Sequence, residues 1–138
     1  MESSPPPIDD AVAAKLIDAA LAVQRNAHAP YSHFHVGAAL LSERGETFVG
    51  CNVENASFSL TICAERVAAG TSVASGTARW VAVAVASRGG VTPCGACRQF
   101  LAEFGNDLLV LCVDSESKNV KRYRLSELLP HAFSKAAL

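Results

Sequence analysis

Cysteine and glutamate residues in two short stretches have the types and spacing of a metal site. Cys63 and Glu65 stand two residues apart, and Cys94 and Cys97 stand three residues apart directly after Pro93. Catalytic zinc sites use three protein ligands and leave a fourth position for water, whereas structural sites use four. Three thiolates with a carboxylate beside the first of them therefore predict a zinc ion that activates water. Glu65 is the candidate for moving the proton of that water.

Three thiolates give such a site an excess of negative charge, and two features of the sequence oppose it. Cys63 and Cys94 each stand at the predicted start of a helix, where the helix dipole is positive and lowers the pKa of a thiol. Arg66 is predicted to hydrogen-bond a ligand sulfur, as the outer contacts of metal sites do. Without a metal, Glu65 is an ordinary first-turn glutamate and Arg66 a surface residue of the helix.

A second polar pair, Asn52 and Glu54, lies at the end of a predicted strand. Residues two apart along a strand project to the same side. An amide and a carboxylate together offer donors and acceptors that suit the hydroxyl groups of a sugar. The alternative is a polar strand end that leads into a turn. The pair predicts a sugar-binding role if the metal site is real.

The bulk composition limits the classes of function. Half of the 138 residues are hydrophobic, 18% are charged and the formal net charge is −1. Binding to nucleic acid needs clustered cations, and acidic residues flank the basic residues at 118–124, so we expect no nucleic-acid partner. We find no apolar run of the ~20 residues that a membrane span requires and no signal-peptide pattern. We therefore expect a cytoplasmic protein without a membrane partner, in which grouped cysteines indicate metal rather than disulfides.

Hydrophobic periodicity places these residues on a small α/β domain. Residues 1–8 are rich in proline and are predicted to be a disordered lead-in, and residues 9–138 are predicted to be a single domain. A helix is predicted at 9–26, followed by a hairpin of strands at 36–41 and 47–53.

The second half of the chain alternates helices and strands. Helices are predicted at 63–74 and 95–104, strands at 80–86 and 108–113, an edge strand near Tyr123, and a last helix capped by Ser126. Gly70 either weakens its helix by about 1 kcal/mol relative to alanine or marks a close helix contact. Strand–helix–strand units require parallel pairing with a right-handed crossover. The predicted fold class is a three-layer α/β/α sandwich around a five-stranded mixed sheet.

Two other functions fit the cysteines. A histidine that completed four-fold coordination would make a structural zinc module, although surface or core roles are expected for the four candidates, His28, His33, His35 and His131. Cys94 and Cys97 alone also fit a thiol oxidoreductase, but Cys63 and Glu65 then have no role.

Taken together, these stretches resemble the small, homotetrameric, zinc-dependent cytidine deaminases. Five ordered motifs carry the resemblance, which covers nearly the whole chain from about residue 9 to Phe133; they lie at residues 31–39, 50–58, 63–66, 93–99 and 127–130. The resemblance implies hydrolysis of the 4-amino group of cytidine or deoxycytidine in pyrimidine salvage. It also implies one zinc ion per subunit and a tetramer of identical chains.

The resemblance assigns roles residue by residue. It gives the zinc ligands as Cys63, Cys94 and Cys97, the proton shuttle as Glu65, and the ribose contacts as Asn52 and Glu54. Phe34 is implied to lie against the pyrimidine, and the backbone at Ala64 to bind the base.

Residues of a neighbouring subunit are implied to complete each site, and these are Ala56, Phe58 and Phe133. Phe58 stands where many relatives have tyrosine, so the hydrogen bond of that hydroxyl is absent. The carboxylate of Glu54 favours a plain nucleoside over a nucleotide monophosphate.

Overall fold

The first helix begins at a side-chain cap. In the computed structural model, which describes residues 8–105 and 107–138, α1 spans Asp10–Gln24. The carboxylate of Asp9 accepts a 2.8 Å hydrogen bond from the backbone N–H of Val12, which satisfies a free N–H group of the first turn. Ile8 packs against the same cluster of side chains as α1. The remainder of the predicted lead-in, residues 1–7, lies outside the described residues.

Five strands form one mixed sheet. They are β1 (Gly37–Ser42), β2 (Thr47–Cys51), β3 (Trp80–Ser87), β4 (Leu109–Asp114) and β5 (Val120–Arg124). Their spatial order is β2-β1-β3-β4-β5. β3 and β4 are parallel, as the strand–helix–strand pattern predicts, and the other neighbouring pairs are antiparallel.

Helices cover both faces of this sheet. α2 spans Ala64–Ala74, α3 spans Gly95–Ala102 and α4 spans Leu125–Leu128. Alternate strand residues point to opposite faces, so that one face packs against α1 and the other against α2, α3 and α4. None of the described helices is long and apolar enough to cross a membrane. The predicted three-layer sandwich around a five-stranded mixed sheet is confirmed.

The cap of the last helix was predicted at the wrong residue. α4 begins at Leu125, one residue before Ser126, and Arg124 is its N-cap. The carboxylate of Glu127 reaches back and accepts a 2.9 Å hydrogen bond from the backbone N–H of Arg124. A glutamate at the third helical position can satisfy the N-cap in this way, so the hydroxyl of Ser126 is not needed there.

Two glycines let helices lie directly on the sheet. A Cβ atom at Gly50 in β2 would lie 2.4 and 2.6 Å from backbone atoms of α2, and one at Gly37 in β1 would lie 2.1 Å from a backbone oxygen of α1. Gly70 has nothing within 4 Å of its Cβ position, so it does not mark the helix contact that its sequence suggested. The close contacts at Gly50 fix the position of α2, which carries part of the candidate site.

Candidate metal centre

The candidate ligands meet at one edge of the sheet. Gly37, at the start of β1, pairs with Cys51 at the end of β2 and with Ala86 near the end of β3. The chain that leaves β2 leads to α2, and the chain that leaves β3 leads to α3. The first turns of α2 and α3 therefore come together beside this edge.

The three predicted cysteines lie close enough to share one ion. The Sγ atoms of Cys63, Cys94 and Cys97 lie within 4.8 Å of one another, and those of Cys63 and Cys94 are 3.8 Å apart. Two sulfurs bound to tetrahedral zinc at about 2.3 Å are separated by about 3.8 Å. The donor set and its spacing therefore fit zinc.

Helix starts supply two of the candidate ligands. Cys63 and Cys94 are the N-cap residues of α2 and α3, and neither side chain caps its helix. Their sulfurs are thus free for a metal, while the unpaired N–H groups of both first turns lie nearby. The positive ends of the two helix dipoles offset part of the negative charge of the thiolates.

Arg66 lies against the cysteine cluster. Its Nη2 atom is 3.6 Å from the Sγ atom of Cys63. Hydrogen bonding by Cys97, together with Arg66, lowers the pKa of the Cys63 thiol to about 5. The same bond to Cys63, with burial, raises the pKa of Cys97. The lowered pKa of Cys63 favours its thiolate, which is the form that binds metal.

Glu65 is a buried carboxyl group beside the sulfur cluster. It lies in the first turn of α2 and is only 3% exposed. Burial, and the nearby charge of Cys63, raise its pKa to about 7. A carboxyl group with a pKa near neutrality can both accept and donate a proton.

Asn52 and Glu54 lie just beyond the strand on which they were predicted. β2 ends at Cys51, because the chain then leaves β1 and forms isolated bridges through Val53 to His28 and Ile62. Asn52 is buried. Its amide donates a 2.8 Å hydrogen bond to the carbonyl oxygen of Phe34 and accepts a 2.9 Å hydrogen bond from the N–H of Val36. Its amide therefore holds the loop that leads into β1.

Glu54 holds the same loop from the other end. Its Oε1 atom accepts hydrogen bonds of 3.0 and 3.1 Å from the N–H groups of Tyr31 and Ser32, and Oε2 accepts from the hydroxyl of Ser32. The hydroxyl bond of Ser32 contributes most to lowering the pKa of Glu54. The lowered pKa favours the ionised form of Glu54, which is a hydrogen-bond acceptor.

The other predicted contacts differ in exposure. Phe34 is half-buried, and Ala64 is fully buried as the first residue of α2. Ala56 is exposed, and the side chains of Phe58 and Phe133 are 72% and 64% exposed. Within the chain, the ring of Phe58 meets that of Tyr31 edge-on, with 5.7 Å between centroids.

The family model for the cytidine and deoxycytidylate deaminase zinc-binding region matches residues 11–113, three quarters of the chain. The chain belongs to the cytidine deaminase family. A relative from Dictyostelium discoideum named probable cytidine deaminase is 49% identical over 127 residues, which cover 90% of this chain and 85% of that relative. The cytidine deaminase of Sporosarcina psychrophila is 43% identical, with 90% of this chain and 93% of that relative covered.

Solved structures of cytidine deaminases have the same fold. The enzyme from Burkholderia pseudomallei superposes with a TM-score of 0.83 at 44% identity, over 87% of this chain and 98% of that one. The enzyme from Mycobacterium tuberculosis gives a TM-score of 0.78 at 38% identity, over 92% and 98% of the two chains. The chain is therefore a zinc-dependent hydrolase of the cytidine deaminase family.

The zinc-binding region of this family and the three-cysteine cluster together fit one zinc ion per subunit. Across residues 8–105 and 107–138, no histidine joins the cluster of possible ligands. The structural zinc alternative thus lacks its fourth ligand. The thiol oxidoreductase alternative uses Cys94 and Cys97 alone and does not explain the sulfur of Cys63 3.8 Å from that of Cys94.

Two residues that bear on this cytidine deaminase site were missed in the sequence. Ser32 donates to Glu54 and accepts a 3.0 Å hydrogen bond from the N–H of Phe34. Arg98, directly after Cys97, donates to three oxygens around the cysteine loop. Both lie inside the motifs at 31–39 and 93–99. Several of their partners are backbone groups, which a sequence does not distinguish, and only the fold brings the carboxylate of Glu54 to Ser32.

Proposed function

We propose that this chain hydrolyses the 4-amino group of cytidine and deoxycytidine, giving uridine or deoxyuridine and ammonia. The observation that carries the proposal is the buried carboxyl group of Glu65 beside three sulfurs that can share one zinc ion. The oxygen of a water molecule bonds to C4 of the pyrimidine, and the bond from C4 to the amino nitrogen breaks. One proton of the water is transferred to the amino nitrogen, which leaves as ammonia, and the other proton is transferred to the ring.

The metal ligands in this proposal are Cys63, Cys94 and Cys97. Zinc with three protein ligands keeps a position for water and lowers the pKa of that water to near 7. Arg66 donates to the Cys63 sulfur and relieves part of the charge of the thiolates, as outer contacts of metal sites do.

Glu65 is proposed as the proton shuttle. Its pKa of about 7 allows it to take a proton from the attacking water and pass it to the pyrimidine. Its burial keeps bulk water away from this transfer, so the proton stays within the site. Such general acid–base catalysis contributes about 10²–10⁴-fold to a rate.

The sugar is proposed to bind Asn52 and Glu54. A carboxylate has about four acceptor positions and an amide has two donors and two acceptor positions. Glu54 uses three of its positions on Tyr31 and Ser32, and Asn52 uses one donor and one acceptor position. Each therefore keeps capacity for a ribose hydroxyl while it holds the loop in place.

The base is proposed to lie against Phe34, with the backbone at Ala64 as its hydrogen-bond partner. The loop bonds of Asn52 and Ser32 fix the backbone on either side of Phe34. The N–H of Ala64 belongs to the first turn of α2, where N–H groups have no acceptor within the helix. Both positions thus suit contacts to a planar base.

The active form is proposed to be a homotetramer in which each site is completed by Ala56, Phe58 and Phe133 of a neighbouring subunit. Support comes from the exposure of large apolar side chains, which in a single chain reaches 72% at Phe58 and 63% at Leu60. Exposed apolar patches of this kind mark interaction surfaces.

Pyrimidine salvage, a cytoplasmic location and a single deaminase domain at residues 9–138 complete the proposal. The formal net charge of −1 fits a small nucleoside substrate better than nucleic acid.

The decisive experiment incubates zinc-loaded, assembled protein with cytidine and follows the ultraviolet absorbance of the pyrimidine. We expect conversion of cytidine and deoxycytidine, with little conversion of deoxycytidine monophosphate because its phosphate adds negative charge to the site near Glu54. Absence of cytidine conversion by protein that contains one zinc per subunit would sink the proposal.

A further inference from the structure

We propose that Arg98 is a positioning residue that fixes the Cys94 side of the zinc site by joining the loop before α3 to α4. The inference rests on the proposed function through one part of it only, the binding of zinc by the three cysteines. It adds a residue that holds the ligand loop without touching the metal.

Arg98 uses all three guanidinium nitrogens. Nε donates 2.7 Å to the carbonyl oxygen of Pro93, and Nη2 donates 2.8 Å to the hydroxyl of Thr92. Nη1 donates 2.7 Å to the carbonyl oxygen of Leu128. Hydrogen bonds from a charged donor are shorter and stronger than neutral ones, so these contacts hold the loop firmly to two helices.

Cys94 is the ligand that depends on this loop. Cys97 is fully buried inside α3, and Cys63 is half-buried beside Arg66. Cys94 is exposed, and its side chain makes no cap bond to α3. The position of its sulfur therefore depends on its own backbone. A 2.9 Å hydrogen bond from the N–H of Arg98 to the carbonyl oxygen of Cys94 holds that backbone on one side, and residues 92–93, where the side chain of Arg98 binds, hold it on the other.

Hydrogen bonds hold the start of the loop to the sheet. Gly89 and Gly90 have positive φ angles, 89° and 62°, which glycine adopts at no steric cost. The N–H of Gly89 donates a 3.0 Å hydrogen bond to the carboxylate of Asp114, and the N–H of Val91 donates one of 3.1 Å to the hydroxyl of Ser87. Beyond Val91 it is Arg98 that hydrogen-bonds residues 92 and 93, directly before Cys94.

α4 anchors the side chain of Arg98. Leu125 at its start is fully buried and donates a 2.9 Å backbone hydrogen bond to the carbonyl oxygen of Leu108. The carbonyl of Leu128 lies at the end of the helix, where carbonyls have no partner within the helix. Arg98 satisfies that carbonyl and thereby joins the cysteine loop to a fixed part of the core.

A lysine cannot replace this arginine. The guanidinium group is a planar fork with donors in fixed directions, whereas an ammonium group is a single point charge. Arg98→Lys keeps the charge but loses the simultaneous contacts, and is therefore the informative variant. Arg88→Lys, at an exposed position on the same loop, is the matched control.

The test measures zinc affinity by competition with a chromophoric chelator, together with Tm and the thiolate absorption of the cobalt-loaded protein. We expect Arg98→Lys to bind zinc about 10–100-fold more weakly, with an altered cobalt–thiolate absorption, while Arg88→Lys matches the unchanged protein. An Arg98→Lys protein with a lower Tm but unchanged zinc affinity and cobalt spectrum would overturn the proposal, because the hydrogen bonds of Arg98 would then stabilise the fold without positioning a zinc ligand.

A second variant decides the question if Arg98→Lys fails to fold. Thr92→Val removes one acceptor and should weaken zinc binding by a few-fold, and unchanged affinity there would overturn the proposal. If the protein binds zinc and the variants have the expected effects, but cytidine is not deaminated, the proposed function is refuted while the positioning role of Arg98 is supported. Absence of zinc binding by the unchanged protein would overturn both.

Discussion

Gly50 in β2 sets the distance between the sheet and α2, the helix that follows Cys63 and carries Glu65. A methyl group added at Gly50 would lie 2.4 Å from the backbone nitrogen of Ala68, about 1 Å closer than ordinary contacts in a close-packed interior. A helix backbone cannot rotate away as a side chain can, so α2 must shift. We therefore expect Gly50→Ala to destabilise the fold and to displace one side of the zinc site.

The size of the effect follows from over-packing. An extra carbon atom in a packed core lowers the free energy of unfolding by about 1–3 kcal/mol. For a chain of this length, each kcal/mol lost lowers Tm by about 4 °C. Calorimetry should therefore find that Gly50→Ala lowers Tm by roughly 4–12 °C. Chelator competition should also find weaker zinc binding, because Cys63 moves relative to Cys94.

Gly70→Ala is the matched control, because it makes the same substitution on the open side of α2. Nothing lies within 4 Å of a Cβ atom at Gly70, and alanine favours a helix over glycine by up to about 1 kcal/mol. Its Tm should rise by up to about 4 °C with zinc affinity unchanged. The reasoning is refuted if Gly50→Ala keeps its Tm and zinc affinity, or if the two variants lose stability equally.

Three further substitutions test the proposed site. Glu65→Gln should keep zinc but lose about 10²–10⁴-fold in kcat, since an amide cannot carry the proton; a near-normal rate in a turnover assay would contradict the shuttle. Glu54→Ala releases the loop that carries Phe34 and should lower kcat/KM for cytidine and free cytosine alike, but the loss for cytidine should be about 10–100-fold larger, because cytidine also loses a hydrogen bond to a charged group; equal losses would remove the sugar assignment. Ser32→Ala should raise KM about tenfold for cytidine and free cytosine alike, because its hydroxyl joins Glu54 to the backbone of Phe34; an unchanged KM would exclude that role.

The sequence was most informative where the chemistry is local. Cys94 and Cys97 are three residues apart at the start of one helix, so a pattern of residue types predicts their common face. The continuous apolar stretch at 80–86 predicted a buried strand, and β3 occupies Trp80–Ser87 with every residue buried. The position of Cys63 beside this pair, by contrast, depends on the tertiary fold.

Contacts to backbone groups account for most of what the sequence did not predict. The acceptors of Arg98 include the carbonyl groups of Pro93 and Leu128, which every residue type has. The contact of Gly50 with α2 depends on helix placement, which the local sequence of β2 does not specify. Asn52 was predicted as a sugar contact, but its bonds to the loop before β1 depend on a chain reversal between distant residues.

X-ray absorption at the zinc edge of the purified, active protein tests the central claim most directly. A zinc ion held by Cys63, Cys94 and Cys97 predicts three sulfur ligands at about 2.3 Å and one oxygen ligand from water. A fourth sulfur, an imidazole nitrogen in place of the oxygen, or cytidine turnover by protein without zinc would contradict it.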